Sequence, residues 1–433
     1  MNFQRITRTG GRDASAKRIM GNVALAVNRP DVPAPAGWKW VPLTSIARME
    51  SGHTPSRKHP EYWGGDIPWL GIRDAKAAHG GTITETAEST NALGINNSSA
   101  RVLPAGTICL SRTASVGYVV KMGRDMATSQ DFANWVCSDL LDPDFLRYLL
   151  IAESSALSRF SSGSIHQTIY YPELKAFYVC VPSPKEQKRI VAVLDQAFAA
   201  LDHARSHAEA NLADASALRA QSANELLQRA TRSAERKPLA VLAEFRNGLN
   251  FSRHSSGDHV RVVGVGDFQK NFWVPIEEIK ESQIEGRLSE QDKLRHGDIV
   301  AVRSNGNRDL IGRVMLVRHV HGDVSFSGFV IRVRLLSKAV LPEYLCHYMK
   351  SPDAVAHLHA GGGGANISNL NQGTLSALSV PVPCIEVQSN LVEDIHLLND
   401  RATQLQAEIE GKFAGIATLR QAVLQRAFAG QLI

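Results

Sequence analysis

One long helical stretch of this 433-residue chain occurs twice. VPSPKEQKRIVAVLDQAFAALDHA, beginning at Val181, reappears as VPCIEVQSNLVEDIHLLNDRATQL from Val382, and ALRAQSANELLQRA returns near the C-terminus as TLRQAVLQRA. In the second copy Ile395, Ala402, Ile409, Ile416 and Val423 recur every seven residues, and Leu391, Leu398, Leu405 and Leu419 fill the other apolar position of the same heptads. That spacing predicts a coiled-coil seam. The first copy offers Ile190, Leu194, Ala197, Leu201, Ala204, Ala208, Ala215 and Leu218, a small-residue seam that lets a partner helix approach closely. Ser183, Pro184 and Glu186 read as its N-cap, first-turn proline and capping-box acid. A helix of roughly 45 residues is on the order of 65 Å long, so each copy is expected to act as a spacer rod.

The segments between the rods also match each other. Pro42, Leu43 and Gly52 correspond to Pro238, Leu239 and Gly248, and IPWLGIRD from Ile67 corresponds to VRVVGVGD from Val260. LPAGTICLSRT from Leu103 matches LRHGDIVAVRS from Leu294, where a glycine turn feeds an apolar strand that ends on Arg112 or Arg303. DPDFLRYLL from Asp142 matches LPEYLCHYM from Leu341, and the loop at Gly163 parallels the loop at Gly364. The expected fold class is therefore α+β: two mixed α/β globular domains alternating with two long helices, paired as an antiparallel coiled coil, in a pseudo-twofold internal repeat. The expected divisions are residues 1–37 as an N-terminal arm or linker ending in DVPAPAG, 38–181 and 237–382 as globular domains, and 182–236 and 383–433 as spacer helices.

A hydrophobic content of 44% with 21% charged residues is that of an ordinary soluble chain. No apolar run approaches the ~20 residues a membrane span needs, and no signal peptide is visible, so a cytoplasmic protein without a membrane partner is expected. The five cysteines form no CxxC and read as buried thiols. His203 and His207 stand four apart, but Ala204 replaces the glutamate of HExxH, so no metal site is expected. A net charge of +6 leans mildly toward a polyanionic partner.

Two globular domains joined to two related long helices resemble the specificity subunit of type I restriction-modification systems. The PSPKEQKRIV start of the first helix, the terminal LRQAVLQRAFAGQL, the LxxGDIV-like strand from Leu294 and the loops at Gly163 and Gly364 carry the likeness. The second helix departs from it, starting PCIEVQ in place of a KEQ-type motif. The resemblance implies that the globular halves are target recognition domains, each reading part of a split asymmetric site in double-stranded DNA, with the helices fixing their separation. It further implies two docked modification (methyltransferase) subunits, which bind S-adenosylmethionine and methylate adenine, and restriction subunits that join afterward. No cofactor and no catalytic residue is then expected on this chain itself. A self-sufficient adenine methyltransferase would carry a [DNS]PP[YF] motif, and the chain has no PP dipeptide.

Base contacts commonly come from Arg, Asn and Gln, and phosphate contacts from Ser, Thr, Lys and backbone groups. The DNA-binding candidates in the first half are Ser111, Arg112, Thr113 and Ser115, with His166 and Gln167 from the Gly163 loop. Those in the second half are Arg303, Ser304, Asn305, Asn307 and Arg308, joined by Asn366, Ser368 and Asn369. The competing reading of these turns is hydrogen bonding to their own backbone. The competing reading of the whole chain is a coiled-coil adaptor whose globes bind protein instead of DNA.

Overall fold

The computed structural model describes residues 17–432 except Ala114, 163–166, Arg253, 269–270 and 361–369. Backbone contacts divide the chain into two units. Unit 1 comprises the chain up to Ala208 together with Gly411 onward, and unit 2 comprises Glu209–Glu410.

In unit 1 the central sheet has the order Ala47–Ser51, Phe132–Cys137, Ile108–Ser111, Val119–Met122 and Thr82–Ile83. Strand Ile108–Ser111 is buried along its whole length, as its unbroken apolar run requires. A three-stranded sheet places Trp63–Leu70 between Ala127–Thr128, with which it runs parallel, and Glu88–Thr90, with which it runs antiparallel. Strand Phe177–Val181 pairs antiparallel with Lys39–Pro42.

Unit 2 repeats each of these arrangements. Its central sheet has the order Ala243–Asn247, Val330–Leu335, Ile299–Val302 and Val314–Leu316, lacking among the described residues only a counterpart of Thr82–Ile83. His259–Val263 runs parallel to Val324–Phe326 and antiparallel to Glu281–Gln283, and Glu235–Pro238 pairs antiparallel with Ser379–Val382. The two halves thus share one topology. The fold is α+β and internally duplicated.

The long helices are Pro184–Thr231, with 48 residues, and Ile385–Phe428, with 44. Ser183 Oγ accepts from the Glu186 amide at 3.4 Å, while the Glu186 carboxylate pairs with Arg189 instead of completing a reciprocal box. In unit 1 the start of the first helix packs with the end of the second. Ile190, Leu194 and Phe198 share a core with Leu424, Ala427 and Phe428, and Arg420 bonds Asp202 at 2.8 Å. In unit 2 the end of the first packs with the start of the second: Leu227 shares a core with Leu391 and Ile395, and Arg219 bonds Asn399 at 3.1 Å. In both units the pairing is antiparallel.

The seam differs from an unbroken heptad. In the first helix the inward positions are 190, 194, 197 and 201, then 208, 212, 215, 222 and 226; in the second they are 391, 395, 398 and 402, then 409, 413, 416, 420, 423 and 427. From 201 to 212, and from 402 to 413, the same heptad position returns after eleven residues instead of seven. Eleven is a heptad with a four-residue stutter, and it swings the stripe to new positions. Leu218, Leu405 and Leu419, expected in the seam, are consequently exposed, and so is Ala204, whereas Leu201, Leu398, Ile416 and Val423 are half-buried and Ile409 is buried.

The N-terminal segment also departs from expectation. Ile19–Met20 and Leu25–Val27 are strands that extend the sheet of Phe177–Val181, and Leu25, Ala26 and Val27 are fully buried. The fully buried carboxylate of Glu153 accepts from the amides of Val23 at 2.8 Å and Ala24 at 2.6 Å, and from that of Asn22. The described part of this segment belongs to unit 1 and is not an arm. Cys109, Cys180 and Cys346 are buried and Cys137 half-buried, but Cys384 is exposed.

Candidate nucleic-acid interface

In each unit one arginine ties together three loops. The strand Ile108–Ser111 ends at Arg112, whose amide donates to Asp131 O at 2.8 Å and whose carbonyl accepts from Ile169 N at 2.9 Å. Its guanidinium donates to Gln130 O at 3.1 Å and lies 4.2 Å from the Tyr171 ring centroid. Arg303 repeats this at the end of Ile299–Val302: its amide donates to Phe329 O at 2.8 Å, its carbonyl accepts from Leu370 N at 2.8 Å, and its guanidinium donates to Gly328 O at 3.2 Å.

The loop held by the guanidinium is a tight turn in both units. Phe132 N closes on Ser129 O at 3.4 Å in unit 1, and Val330 N on Ser327 O at 2.8 Å in unit 2. A second loop crosses directly over it. A Cβ at Gly52 would lie 1.9 Å from Ser129 O, and one at Gly248 would lie 2.2 Å from Ser327 O, so both positions require glycine. The next amides lock the crossing, His53 N to Thr128 O at 2.9 Å and Leu249 N to Phe326 O at 2.8 Å. Matched glycines and matched arginines therefore build the same rigid edge twice.

The sequence candidates divide on this edge. Ser111 is fully buried, its hydroxyl accepting from Tyr118 N at 2.8 Å and donating to Ser115 O, so it has no surface to offer and its assignment is corrected to a core position. Arg112 and Arg303 are half-buried braces, each guanidinium donating to a carbonyl of the turn beside it. Thr113 bridges Thr168, and Ser115 is half-buried. Gln167, Asn307 and Arg308 are exposed, and Ser304 and Asn305 half-buried. Asn305 and Asn307 also cap their own turn, accepting from Asn307 N at 2.7 Å and Asp309 N at 3.0 Å. His166, Asn366, Ser368 and Asn369 lie outside the described residues.

The crossing loop of unit 1 is a feature the sequence reading missed. Arg57 pairs with Glu88 through both guanidinium nitrogens and lies 3.8 Å from the Trp63 ring centroid, while Trp63 and Trp69 meet edge to face at 5.1 Å. The Glu88 hydrogen bond raises the Arg57 pKa further, so the stacked cation stays charged. Arg57, Trp63 and Trp69, spaced six residues apart, were the available signal.

Among the described residues no group of three or more His, Cys, Asp or Glu is placed to hold a metal, and no helix is long and apolar enough to cross a membrane. His203 and His207 are exposed on the first long helix.

Residues 35–210 match the family model of the type I restriction modification DNA specificity domain. The MjaIX specificity subunit of Methanocaldococcus jannaschii is 33% identical over 162 residues, which span 37% of this chain and 38% of that subunit. The StySPI specificity subunit of Salmonella potsdam is 21% identical over 418 residues, spanning 92% of this chain and 90% of that one. Among solved structures, a chain from work on the structural basis of complex assembly and conformational transition of the type I R-M system superposes with a TM-score of 0.66 at 15% identity, covering 93% of this chain and 100% of its own. The HsdS subunit of Thermoanaerobacter tengcongensis gives 0.55 at 15% identity, covering 93% and 99%. Duplicated topology, paired long helices and these likenesses agree: the chain is similar to type I restriction-modification specificity subunits, and its residues 35–210 match the DNA specificity domain of that family.

Proposed function

We propose that this chain is the subunit that gives a type I restriction-modification complex its DNA sequence specificity. Each half reads one part of a bipartite asymmetric site, with 38–181 and 237–382 as the reading domains and the two long helices as the spacer between them. The observation that carries this reading is the twice-built edge at Arg112 and Arg303. The frames are nearly superimposable in their hydrogen bonds while the exposed side chains on them differ, which suits recognition of two unlike half-sites on one near-symmetric backbone.

Methyl transfer then belongs to docked modification subunits, which supply S-adenosylmethionine, and restriction subunits join the same assembly. This chain acts in the cytoplasm as a non-catalytic partner of that chemistry. Gln167, Asn307 and Arg308, exposed on the loops around each edge, are its contact candidates, together with His166, Asn366, Ser368 and Asn369.

Selection from random duplexes by the chain together with its modification subunits tests this. Enrichment of one split motif with a fixed spacer is expected. Binding without any motif would favour a protein-binding adaptor, for which no feature of the two edges argues.

A further inference from the structure

We propose that the duplicated turn held by Arg112 and Arg303 carries specificity-determining side chains, Gln130 in unit 1 and Phe329 in unit 2. This inference rests on the specificity reading above and deepens it.

The two turns are the same object built with different tips. Ser129–Phe132 and Ser327–Val330 are each closed by their own amide, crossed by a glycine, and clamped at two successive carbonyls by one arginine. That leaves the tip residues little freedom. In unit 1 the tip is Gln130 and Asp131. Gln130 is exposed, and Thr54 on the crossing loop hydrogen-bonds its Oε1, which orients the amide before any ligand arrives. In unit 2 the tip is Gly328 and Phe329. Asn250, at the position matching Thr54, occupies the space where a side chain at residue 328 would stand.

Phe329 is 60% exposed. A large aromatic side chain displayed on a rigid turn forfeits the burial it would gain in a core, so its surroundings indicate what it meets. Its carbonyl accepts from both Arg303 N at 2.8 Å and Ser304 N at 3.4 Å, which ties the turn to the start of the polar loop that carries Asn305, Asn307 and Arg308. Basic and amide groups around one apolar projection fit a base-pair edge in duplex DNA. Glutamine pairs with adenine through two hydrogen bonds in the major groove, whereas phenylalanine packs on the thymine 5-methyl. The two tips therefore assign an adenine contact to the first half-site and a thymine contact to the second.

The test uses the full chain in complex with its modification subunits. Motifs are selected from random duplexes by the wild type, Phe329→Ser and Gln130→Ala, with melting temperatures as a folding control. Phe329→Ser is expected to relax one T·A position in the second half-site and nothing in the first, and Gln130→Ala one A·T position in the first, by roughly tenfold. Deoxyuridine in place of the selected thymine is expected to weaken wild-type binding roughly fourfold, the effect of one methyl group, and to leave Phe329→Ser binding unchanged. Variants that select the wild-type motif with unaltered base ratios, or that lose affinity equally for all sequences, would overturn the turn assignment alone. A wild-type complex that selects no split motif would overturn the specificity reading and the turn's role with it.

Discussion

Gln187 and Gln388 make the same three hydrogen bonds at the starts of the two long helices. Gln187 Nε2 donates to Leu140 O and Pro182 O, both at 3.1 Å, and its Oε1 accepts from Asp142 N at 2.8 Å. Gln388 Nε2 donates to Ala339 O and Pro383 O, both at 2.8 Å, and its Oε1 accepts from Leu341 N at 2.8 Å. Both side chains are fully buried. Each fastens a rod to the loop that starts the short helix of its unit, Pro143–Ala152 or Pro342–Met349. Of the KEQ motif at the start of the first helix, the buried glutamine is the part this clamp retains in the second.

Replacing either glutamine by alanine strands one amide and two carbonyls away from water. The expected loss is ~2 to 4 kcal/mol, from about 1 to 3 kcal/mol per unsatisfied buried group with partial relaxation. Denaturant unfolding of Q187A and Q388A measures it, and Gln187→Glu should be no better at neutral pH, because a carboxylate cannot donate to the two carbonyls.

Arg303→Ala removes a brace, so it is expected to weaken DNA binding across many sequences and to cost ~1 to 3 kcal/mol of stability. The same holds for Arg112→Ala. A relaxed preference confined to one base position, with stability unchanged, would instead mark Arg303 as a direct reader of guanine. Motif selection and thermal melting on the same preparations separate the two outcomes.

What the sequence revealed, and what it hid, follows from how far each signal extends along the chain. The duplication was legible because glycines, strand ends and helix starts repeat over the whole chain, and Gly52 and Gly248 do share one role. Gln187 and Gln388 were invisible because a single polar residue in a first helical turn has no period. Leu218, Leu405 and Leu419 were misplaced because a stutter leaves leucines at regular spacing while rotating them out of the contact. Leu25–Val27 is too short a strand to show alternation, and the proline-rich stretch after it looked like a domain boundary. Phe329 gave no sign, since exposure is a property of the folded turn.

His347 makes unit 2 sensitive to acid. Its ring stacks on Phe272 at 4.4 Å and faces His396 at 5.9 Å, with Lys350 close by, and its buried Nε2 has no hydrogen-bond partner among the described residues. Burial, then the neighbouring His396 and Lys350, push its pKa down to about 3. Between about pH 6.5 and 3 the unfolded chain binds a proton here that the folded chain refuses. Stability is therefore expected to fall as pH drops through that window, by about 1.4 kcal/mol per unit from this residue. His347→Phe keeps the stacking and removes the titration, so the pH slope of unfolding free energy should become shallower in that variant, as measured by denaturant unfolding between pH 7 and 4.5.

The paired stutters set up the strictest trial of the spacer role. Deleting residues 204–207 from the first helix and 405–408 from the second turns both eleven-residue intervals into sevens, so the seam on either side stays in register as an uninterrupted heptad. All eight residues are exposed, and no buried contact is removed. Each rod loses about 6 Å, at ~1.5 Å per residue, which corresponds to roughly two base pairs of duplex. A double deletion that folds and selects the same two half-sites with about two fewer base pairs between them is the expected result. Deleting the four residues from one helix alone leaves the other helix's stutter against an unbroken heptad, and is expected to lower the melting temperature without giving a single new spacer. If the double deletion keeps the original spacing, the helices do not measure the DNA, and the distance between half-sites must be set by the docked modification subunits.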